Sequence, residues 1–271
     1  MMRLRYPERA RSFDAWAGDY DRYRPGYPDV LFEEISRRLQ LPERPLVVDL
    51  GAGTGRASLA MAALGWRVTA VEPGRPMLEV LRAQAANQGL VLATVQASAE
   101  ATGLDPASAD LATAAQSFHW FDHAAAVMEM ARVVKPGGGV ALFWNVRDAD
   151  RSAFVVDYHN LLERLFGDAD TGQYLQAGRS TGRERTQQAF EDSPGFDQPL
   201  LAELQHDAQM TPDDFVGMAF TASYVRALPA DEQERFRTEL NALLTRHGHV
   251  QGERLTVPYR IDLWTARRHA A

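Results

Sequence analysis

No cysteine occurs in the chain, which excludes a disulfide framework, a thiolate-held zinc ion and a cysteine nucleophile. Lysine is almost as scarce, since Lys135 is the only one and arginine carries the rest of the basic charge. With that bias, a single arginine says little about a phosphate or carboxylate site. Concentrated positive charge is missing too. The net charge of −7 and the pI near 5.5 argue against a nucleic-acid partner, which needs clustered basic side chains. The best local patch, Arg179-Ser-Thr-Gly-Arg-Glu-Arg185, is short, interrupted by Glu184, and reads as a solvated loop. No apolar run approaches bilayer length, and the basic start Met1-Met-Arg-Leu-Arg-Tyr-Pro lacks the apolar segment of a signal peptide. A cytoplasmic location without a membrane partner is therefore the expectation. His247-Gly-His249 and Asp148-Ala-Asp150 are isolated pairs with no third ligand at an informative spacing, so no metal is expected.

What is present is ordinary in bulk and specific in one place. Hydrophobic residues make up 45% and charged residues 24% of 271 positions, which suits one α/β domain with an appended region. The specific place is Leu46-Val-Val-Asp-Leu-Gly-Ala-Gly-Thr-Gly-Arg56. Leu46, Val47, Val48 and Leu50 form the short apolar run of a parallel strand covered on both faces, and Asp49 breaks it near its end. Gly51, Gly53 and Gly55 let the backbone turn sharply and approach a ligand closely. Ala57 to Leu64 then reads as a helix whose free N–H groups would meet an anion. The glycine spacing is G-x-G-x-G. A dinucleotide fingerprint would need glycine where Arg56 stands, which counts against a nicotinamide-dependent oxidoreductase. A second strand, Arg67 to Val71, ends in Glu72, whose two oxygens can accept from the vicinal hydroxyls of a ribose. Glu72 would serve NAD equally well, so the glycine spacing carries the distinction.

Around this stretch, strand and helix alternate. Phe13, Trp16, Ala17 and Tyr20 recur at helical spacing, Arg24-Pro-Gly-Tyr-Pro28 forces a turn, and Val30 to Leu39 follows as helix, so residues 1–41 read as a cap. A helix after Pro76, with Met77, Leu78, Leu81 and Ala85 on one stripe, stops at Gly89. Strands are predicted over Val91–Gln96 and Asp110–Ala115, a helix over Ala124–Val134, a break at Pro136-Gly-Gly-Gly139 and a fifth strand over Val140–Trp144. Residues 42–147 thus form a parallel α/β core whose ligands sit beyond the strand C-termini, where Asp49, Glu72, Ser98 and Gln116 fall. Residues 148–271 read as a helical cover and the last strands of the same single domain. They hold a helix over Phe154–Phe166, a polar, glycine-rich lid from Gly167 to Arg185, and a strand over Pro199–Gln205. An apolar helix over Phe215–Val225, capped by Thr211-Pro-Asp-Asp, and another over Pro229–Arg246 follow. Leu255, Val257, Tyr259, Ile261 and Leu263 alternate as the last strand, with Pro258 placing its paired part from Tyr259 onward.

Several separate pieces carry a resemblance. They are Val47-Val-Asp-Leu-Gly-Ala-Gly-Thr-Gly55, Ala70-Val-Glu-Pro73, Ala97-Ser-Ala-Glu100, Ala114-Ala-Gln-Ser-Phe-His-Trp-Phe121 and Val133-Val-Lys-Pro-Gly-Gly138. In order and spacing over most of residues 13–145 the chain resembles the class I S-adenosylmethionine-dependent methyltransferases, and within them the small-molecule group related to trans-aconitate methyltransferases. The resemblance implies a Rossmann-like, doubly wound, mostly parallel seven-stranded sheet with an antiparallel last strand and a helical cover. It implies S-adenosylmethionine as cofactor, with Asp49, Gly51, Gly53, Gly55, Glu72 and Gln116 around it and the cap folding over it through Tyr20 and Arg24. Arg24 would pair with the cofactor's carboxylate. The loop Ser98-Ala99-Glu100 would meet the adenine edge. Ser98 stands where many members carry Asp, which leaves the Ala99 N–H as the firmer contact. Met77 would pack on the adenine face, although its helical spacing equally suits core packing.

Transfer of a methyl from a sulfonium demands alignment with a nucleophile in a dry site, and aromatic faces favour the positive sulfur. Phe118, His119, Trp120 and Phe121 supply such faces, unless the aromatics are core residues over the sheet edge. His119 is the candidate general base for a hydroxyl acceptor, set against a substrate-binding or structural role. A carboxylate acceptor would need no base. Ser223 and Tyr224 would offer hydroxyls from the cover. The leading reading is methyl transfer to an oxygen of a small-molecule substrate, and a cofactor-binding auxiliary protein without transferase activity is the alternative from another class.

Overall fold

The computed structural model describes residues 23–175, 180–193 and 195–270, and all of their side chains except those of 167–175, 180–182 and 223. Helix α1 (Asp29–Leu39) leads into β1 (Leu46–Leu50), α2 (Arg56–Ala63), β2 (Arg67–Val71), α3 (Arg75–Asn87) and β3 (Ala93–Val95). Next come β4 (Ala109–Ala115), α4 (His123–Val133), β5 (Val134–Arg147), α5 (Ala153–Leu175) and α6 (Ser180–Glu191). The chain continues with β6 (Leu200–Met210), α7 (Pro212–Phe220), the single turn α8 (Ser223–Arg226), α9 (Ala230–Arg246) and β7 (Leu255–Arg267). The seven strands make one sheet in the order β3-β2-β1-β4-β5-β7-β6, parallel from β3 to β5, with β7 antiparallel to both of its neighbours. This is the doubly wound, mostly parallel sheet expected from the alternation. Its order reverses between β1 and β4, which opens a crevice above their carboxyl ends.

Both faces of the sheet are covered, so the strands read as apolar runs rather than as alternating ones. Val47, Val68, Leu111, Ala141 and Phe143 share a cluster with Leu31, Phe32 and Ile35 of α1 and Ala57 and Met61 of α2. Val48, Leu50, Ala112, Leu142 and Trp144 join the opposite cluster with Val127 and Met130 of α4 and Phe190 of α6. A third cluster belongs to the cover. The β6–β7 ribbon runs on past Arg147, where β5 ends, and its overhang holds Val257 against Phe154, Tyr158 and Leu162 of α5, Phe215 of α7, and Phe236 and Leu240 of α9. Helix α7 starts on a full capping box, in which Thr211 Oγ1 accepts from the Asp214 N–H while the Asp214 carboxylate accepts from the Thr211 N–H.

Four expectations are corrected. The fifth strand does not begin after the glycines: Val134 already pairs with Ala109, and the ladder shifts register before resuming at Gly139 opposite Leu111, so the glycines sit in a β-irregularity. Of the expected glycine-rich lid, residues 167–175 and 180–185 are helical, since α5 continues to Leu175 and α6 begins at Ser180. The helix expected over Phe215–Val225 breaks into α7 and α8 at Thr221, whose Oγ1 donates to the Met218 carbonyl. Finally, β7 is paired ahead of Pro258 as well as after it, with Pro258 itself opposite Asp207. Proline is tolerated there because β5 ends opposite Tyr259, so Pro258 has a strand neighbour on one side alone, and its carbonyl still accepts from the Asp148 N–H at 2.9 Å.

Candidate active site

The turn from β1 to α2 is built from its glycines. Gly51, Gly53 and Gly55 have φ of +65°, +57° and +94°, the left-handed region that side chains avoid. Each does something different. A Cβ on Gly55 would lie 2.5 Å from Leu81 Cγ, so this glycine lets α3 pack against the start of α2. A Cβ on Gly51 would meet Ser117 Cβ at 2.7 Å, so the β4 end can close in. On Gly53 a Cβ would have no atom within 4 Å, because this residue faces open cavity. Beneath the turn, the fully buried Asp49 carboxylate accepts from Ser58 Oγ at 2.5 Å and from Thr113 Oγ1 at 2.8 Å, joining β1 to α2 and β4. Burial pushes its carboxyl up to about 6 although both hydroxyls hold it down. At the tip of β2 the Glu72 carboxylate accepts from the Gly53 N–H at 2.9 Å and the Gly74 N–H at 2.8 Å, which fixes its direction toward the same cavity.

That cavity runs across the carboxyl ends of the strands. One end is walled by the glycine turn, Glu72, Pro73 and Met77, and the middle by Gln116, Ser117, Trp120 and Phe121. Arg24, Pro25 and Tyr27 border it from the segment ahead of α1, and Asn145, Arg147 and Tyr259 close the other end. Gln116 holds φ of +56°, a strained conformation for a residue with a side chain, and is fixed by its N–H to the Phe143 carbonyl at 2.9 Å and its Nε2 to the Asn145 carbonyl at 3.1 Å. Arg24 donates through Nε to Thr221 Oγ1 at 3.0 Å, which links the cap to the cover.

Of the side chains and glycines expected around a cofactor, Arg24, Gly51, Gly53, Glu72, Met77 and Gln116 border this cavity. Asp49 and Gly55 lie behind it as brace and packing site. Ser98, Ala99 and Glu100 of the loop after β3 are not among the lining residues: Ala99 is buried in the sheet–helix core, the Glu100 carboxylate accepts from the Asp122 N–H at the start of α4, and Ser98 bridges to Ala101. Tyr20 lies outside the described residues. Of the expected acceptor contacts, Trp120 borders the cavity. Phe118 does not, being 1% exposed and stacked on His123 at 4.6 Å between ring centroids. Tyr224 packs edge-on against Phe166 within the cover, and the side chain of Ser223 lies outside the described ones.

His119, the candidate general base, is not among the residues that wall this cavity. Its Nδ1 accepts from the indole N–H of Trp144 at 3.2 Å, so the proton of the neutral ring is on Nε2 and neither nitrogen is ready to take another. Burial, with a contribution from His123, pushes the imidazole down to about 4. Sequence reasoning missed Asn145, Arg147 and Tyr259. The signal was the continuation of β5 beyond Trp144, which would have carried the rule for strand C-termini on to Asn145 and Arg147.

A methyltransferase-domain family model matches residues 48–142, from the glycine strand through the middle of β5. An uncharacterized methyltransferase of Mycobacterium tuberculosis is 32% identical over 92% of this chain and 92% of its own length. One of Schizosaccharomyces pombe is 28% identical over 86% of this chain and 87% of its own. The chain belongs to the methyltransferase family. A solved structure from Anaeromyxobacter dehalogenans, described as a candidate type II methyltransferase, superposes with a TM-score of 0.66 at 26% identity, covering 92% of this chain and 100% of that one. A phosphoethanolamine N-methyltransferase of Haemonchus contortus, solved with S-adenosyl-L-methionine, shares the fold at 15% identity and a TM-score of 0.53, covering 96% of this chain and 60% of its own. This methyltransferase is of class I and uses S-adenosylmethionine. Its cavity fits that cofactor on two counts: Gly53 leaves open the space a side chain would fill, and Glu72 presents an anchored carboxylate to the same space. Among the described residues no helix is long and apolar enough to cross a membrane, and no three potential metal ligands cluster.

Proposed function

We propose that this methyltransferase methylates an oxygen of a small molecule, as in the group related to trans-aconitate methyltransferases. The supporting observation is that one cavity carries the glycine turn, Glu72 and Met77 at one end and Trp120, Asn145, Arg147 and Tyr259 at the other. Glu72 would take the ribose diol, Gly51 and Gly53 would admit the donor's chain, Met77 would face the adenine and Arg24 would meet the carboxylate. Bound there, the cofactor supplies an electrophilic methyl on a sulfonium. Trp120 and Phe121 keep water from that position and turn aromatic faces toward positive charge. The acceptor then occupies the far end, over β5 and β7. Glu72 is the one carboxylate among the described residues bordering the cavity, and it already holds two N–H groups, so the wall offers no base. An oxygen that is ionised beforehand, a carboxylate or an acidic phenol, suits such a site better than an alcohol.

The test incubates the purified protein with S-adenosylmethionine and a panel of small carboxylic acids and phenols. A product heavier by one methyl group is the expected result. Donor binding with no product across the panel would instead support a cofactor-binding protein without transferase activity. In the same preparation Glu72→Ala should weaken S-adenosylhomocysteine at least tenfold, since a charge-assisted hydrogen bond contributes about 1.5–3 kcal/mol. Unchanged affinity in calorimetry would remove Glu72 from the site.

A further inference from the structure

Arg147 stands at the end of β5 with its guanidinium bordering the cavity and its Nε sealed from water without a hydrogen-bond partner. No carboxylate pairs with it among the described residues. Its neighbours are soft and neutral: Met218 Sδ lies 3.8 Å from Nη2, and the Tyr158 ring centroid lies 5.0 Å from the guanidinium carbon. The Tyr259 hydroxyl donates to the same sulfur at 3.3 Å. Tyr158 is itself fully buried, its hydroxyl has no partner, and burial pushes that hydroxyl above the usual phenol range, so it stays a proton donor. A half-buried cation that faces a thioether, phenol rings and the Tyr259 hydroxyl has polar company but no counter-ion beside it among the described residues. The charges around the cavity point the same way. Among the described residues Arg24, Arg56 and Arg147 border it against the one carboxylate of Glu72, although the whole chain carries −7.

We infer that Arg147 is the acceptor's anchor, and that the methyl acceptor carries a carboxylate there in addition to the oxygen that is methylated. The inference rests on the methyl-transfer reading and adds the acceptor's class to it. A carboxylate paired with guanidinium gives up electron density and fixed lone pairs to that pair, so the nucleophilic oxygen is a different one. Asn145 gives the far end a direction. Its Nδ2 donates to the Gly26 carbonyl at 3.2 Å, which leaves Oδ1, buried and without a partner, as an acceptor that would repel an anion and take a hydroxyl. The anion is thereby directed to Arg147 and away from Asn145.

An anion at Arg147 has two sources, the acceptor or the cofactor's own carboxylate, and calorimetry separates them. The probes are 4-hydroxybenzoate, phenylacetate and succinate against their amides, titrated into protein saturated with S-adenosylhomocysteine. At least one acid should bind the wild type ten times or more tighter than its amide, and Arg147→Met should abolish that preference while S-adenosylhomocysteine affinity stays within about twofold. Removing a cation that has no counter-ion among the described residues should leave the thermal midpoint of the Met variant equal to or above the wild type. A fall of tenfold or more in S-adenosylhomocysteine affinity in Arg147→Met would assign the guanidinium to the cofactor and overturn the inference. So would acids and amides that bind the wild type alike, or an acid preference that survives in the variant. Failure of the methyl-transfer reading looks different, because the wild type would then not bind S-adenosylhomocysteine at all.

Discussion

Asp49 and His119 were read as ligand-side residues; Asp49 is fully buried and acts as a brace, and the partly exposed His119 is the partner of an indole. For Asp49 the pH dependence follows from the direction of its shift. A carboxyl at about 6 in the folded state against 3.8 as the ordinary value is penalised by ionisation, so its contribution to stability is fullest below pH 4 and is lost as pH rises through 6. That gap corresponds to about 3 kcal/mol. Asp49→Asn keeps an oxygen for one hydroxyl and offers an N–H to the other. The stability of this variant relative to wild type should therefore grow by about 3 kcal/mol between pH 4 and 7 in urea titrations, and a flat difference would refute the buried charge. His119 makes the contrasting case. With its imidazole near 4 it stays neutral from pH 5 to 8, so turnover should show no acidic limb near 6.5 that disappears with the side chain. His119→Ala should cost about 1–3 kcal/mol of stability through the orphaned Trp144 N–H, with kcat lowered less than about tenfold. A loss above about a hundredfold in a folded, donor-binding variant would restore the base. Glu72 and Gly53 were legible because their chemistry is local, an acid at a strand tip and a glycine in a fixed spacing. Arg147 and Tyr259 were not, since only the pairing of β5 with β7 sets them opposite each other.

At the level of elements, the β1–α2 turn separates fold from site within three positions. Gly53→Ala and Gly55→Ala both place a side chain at positive φ, which costs about 1–2 kcal/mol each. Beyond that their consequences diverge. Gly55→Ala also drives a methyl into Leu81, so it should lose a further 1–3 kcal/mol or so in urea unfolding while the folded fraction still binds S-adenosylhomocysteine normally. Gly53→Ala meets no atom, so its stability loss should stop at the backbone term and its S-adenosylhomocysteine affinity should fall tenfold or more. Equal affinities in the two variants would mean that the open space at Gly53 is not where the ligand lies. The same turn shows why some elements read easily. Its strand is short, apolar and closed by glycine, so its limits are marked in the chain. The limits of β5 are not, because Pro136 and the glycines after it look like a stop while the sheet carries the strand through them with a register shift. Nor are those of α5, whose later residues are polar but continue a helix whose first turns are anchored by Phe154, Tyr158 and Leu162.

Across the whole molecule, the cofactor end and the acceptor end rest on different cores. The glycine turn and Glu72 follow strands β1 and β2 and Met77 lies at the start of α3, on a sheet packed between helices of its two faces, whereas Arg147 and Tyr259 border the cluster formed by α5, α7, α9 and the overhang of β7. The first core was predictable because a parallel sheet imposes its own order of strand and helix. The cover was read only as helices, since which helix faces which depends on contacts between residues far apart in the chain, such as Phe154 with Phe215 at 4.9 Å between centroids. This division predicts that damage to the cover should spare the cofactor. Leu240 is fully buried in the cover cluster, and Leu240→Ala should cost about 2–5 kcal/mol in urea unfolding. Saturation with S-adenosylhomocysteine at a hundred times its dissociation constant should nevertheless stabilise variant and wild type by the same amount, about 2.7 kcal/mol. The carboxylate preference assigned to Arg147 should weaken in that variant, because Met218 and Tyr158, which flank the guanidinium, both belong to the disturbed cluster. If S-adenosylhomocysteine stabilised Leu240→Ala markedly less than wild type, the cover would be holding the cofactor as well, through a link such as that between Arg24 and Thr221, and the two ends could not be treated as independent.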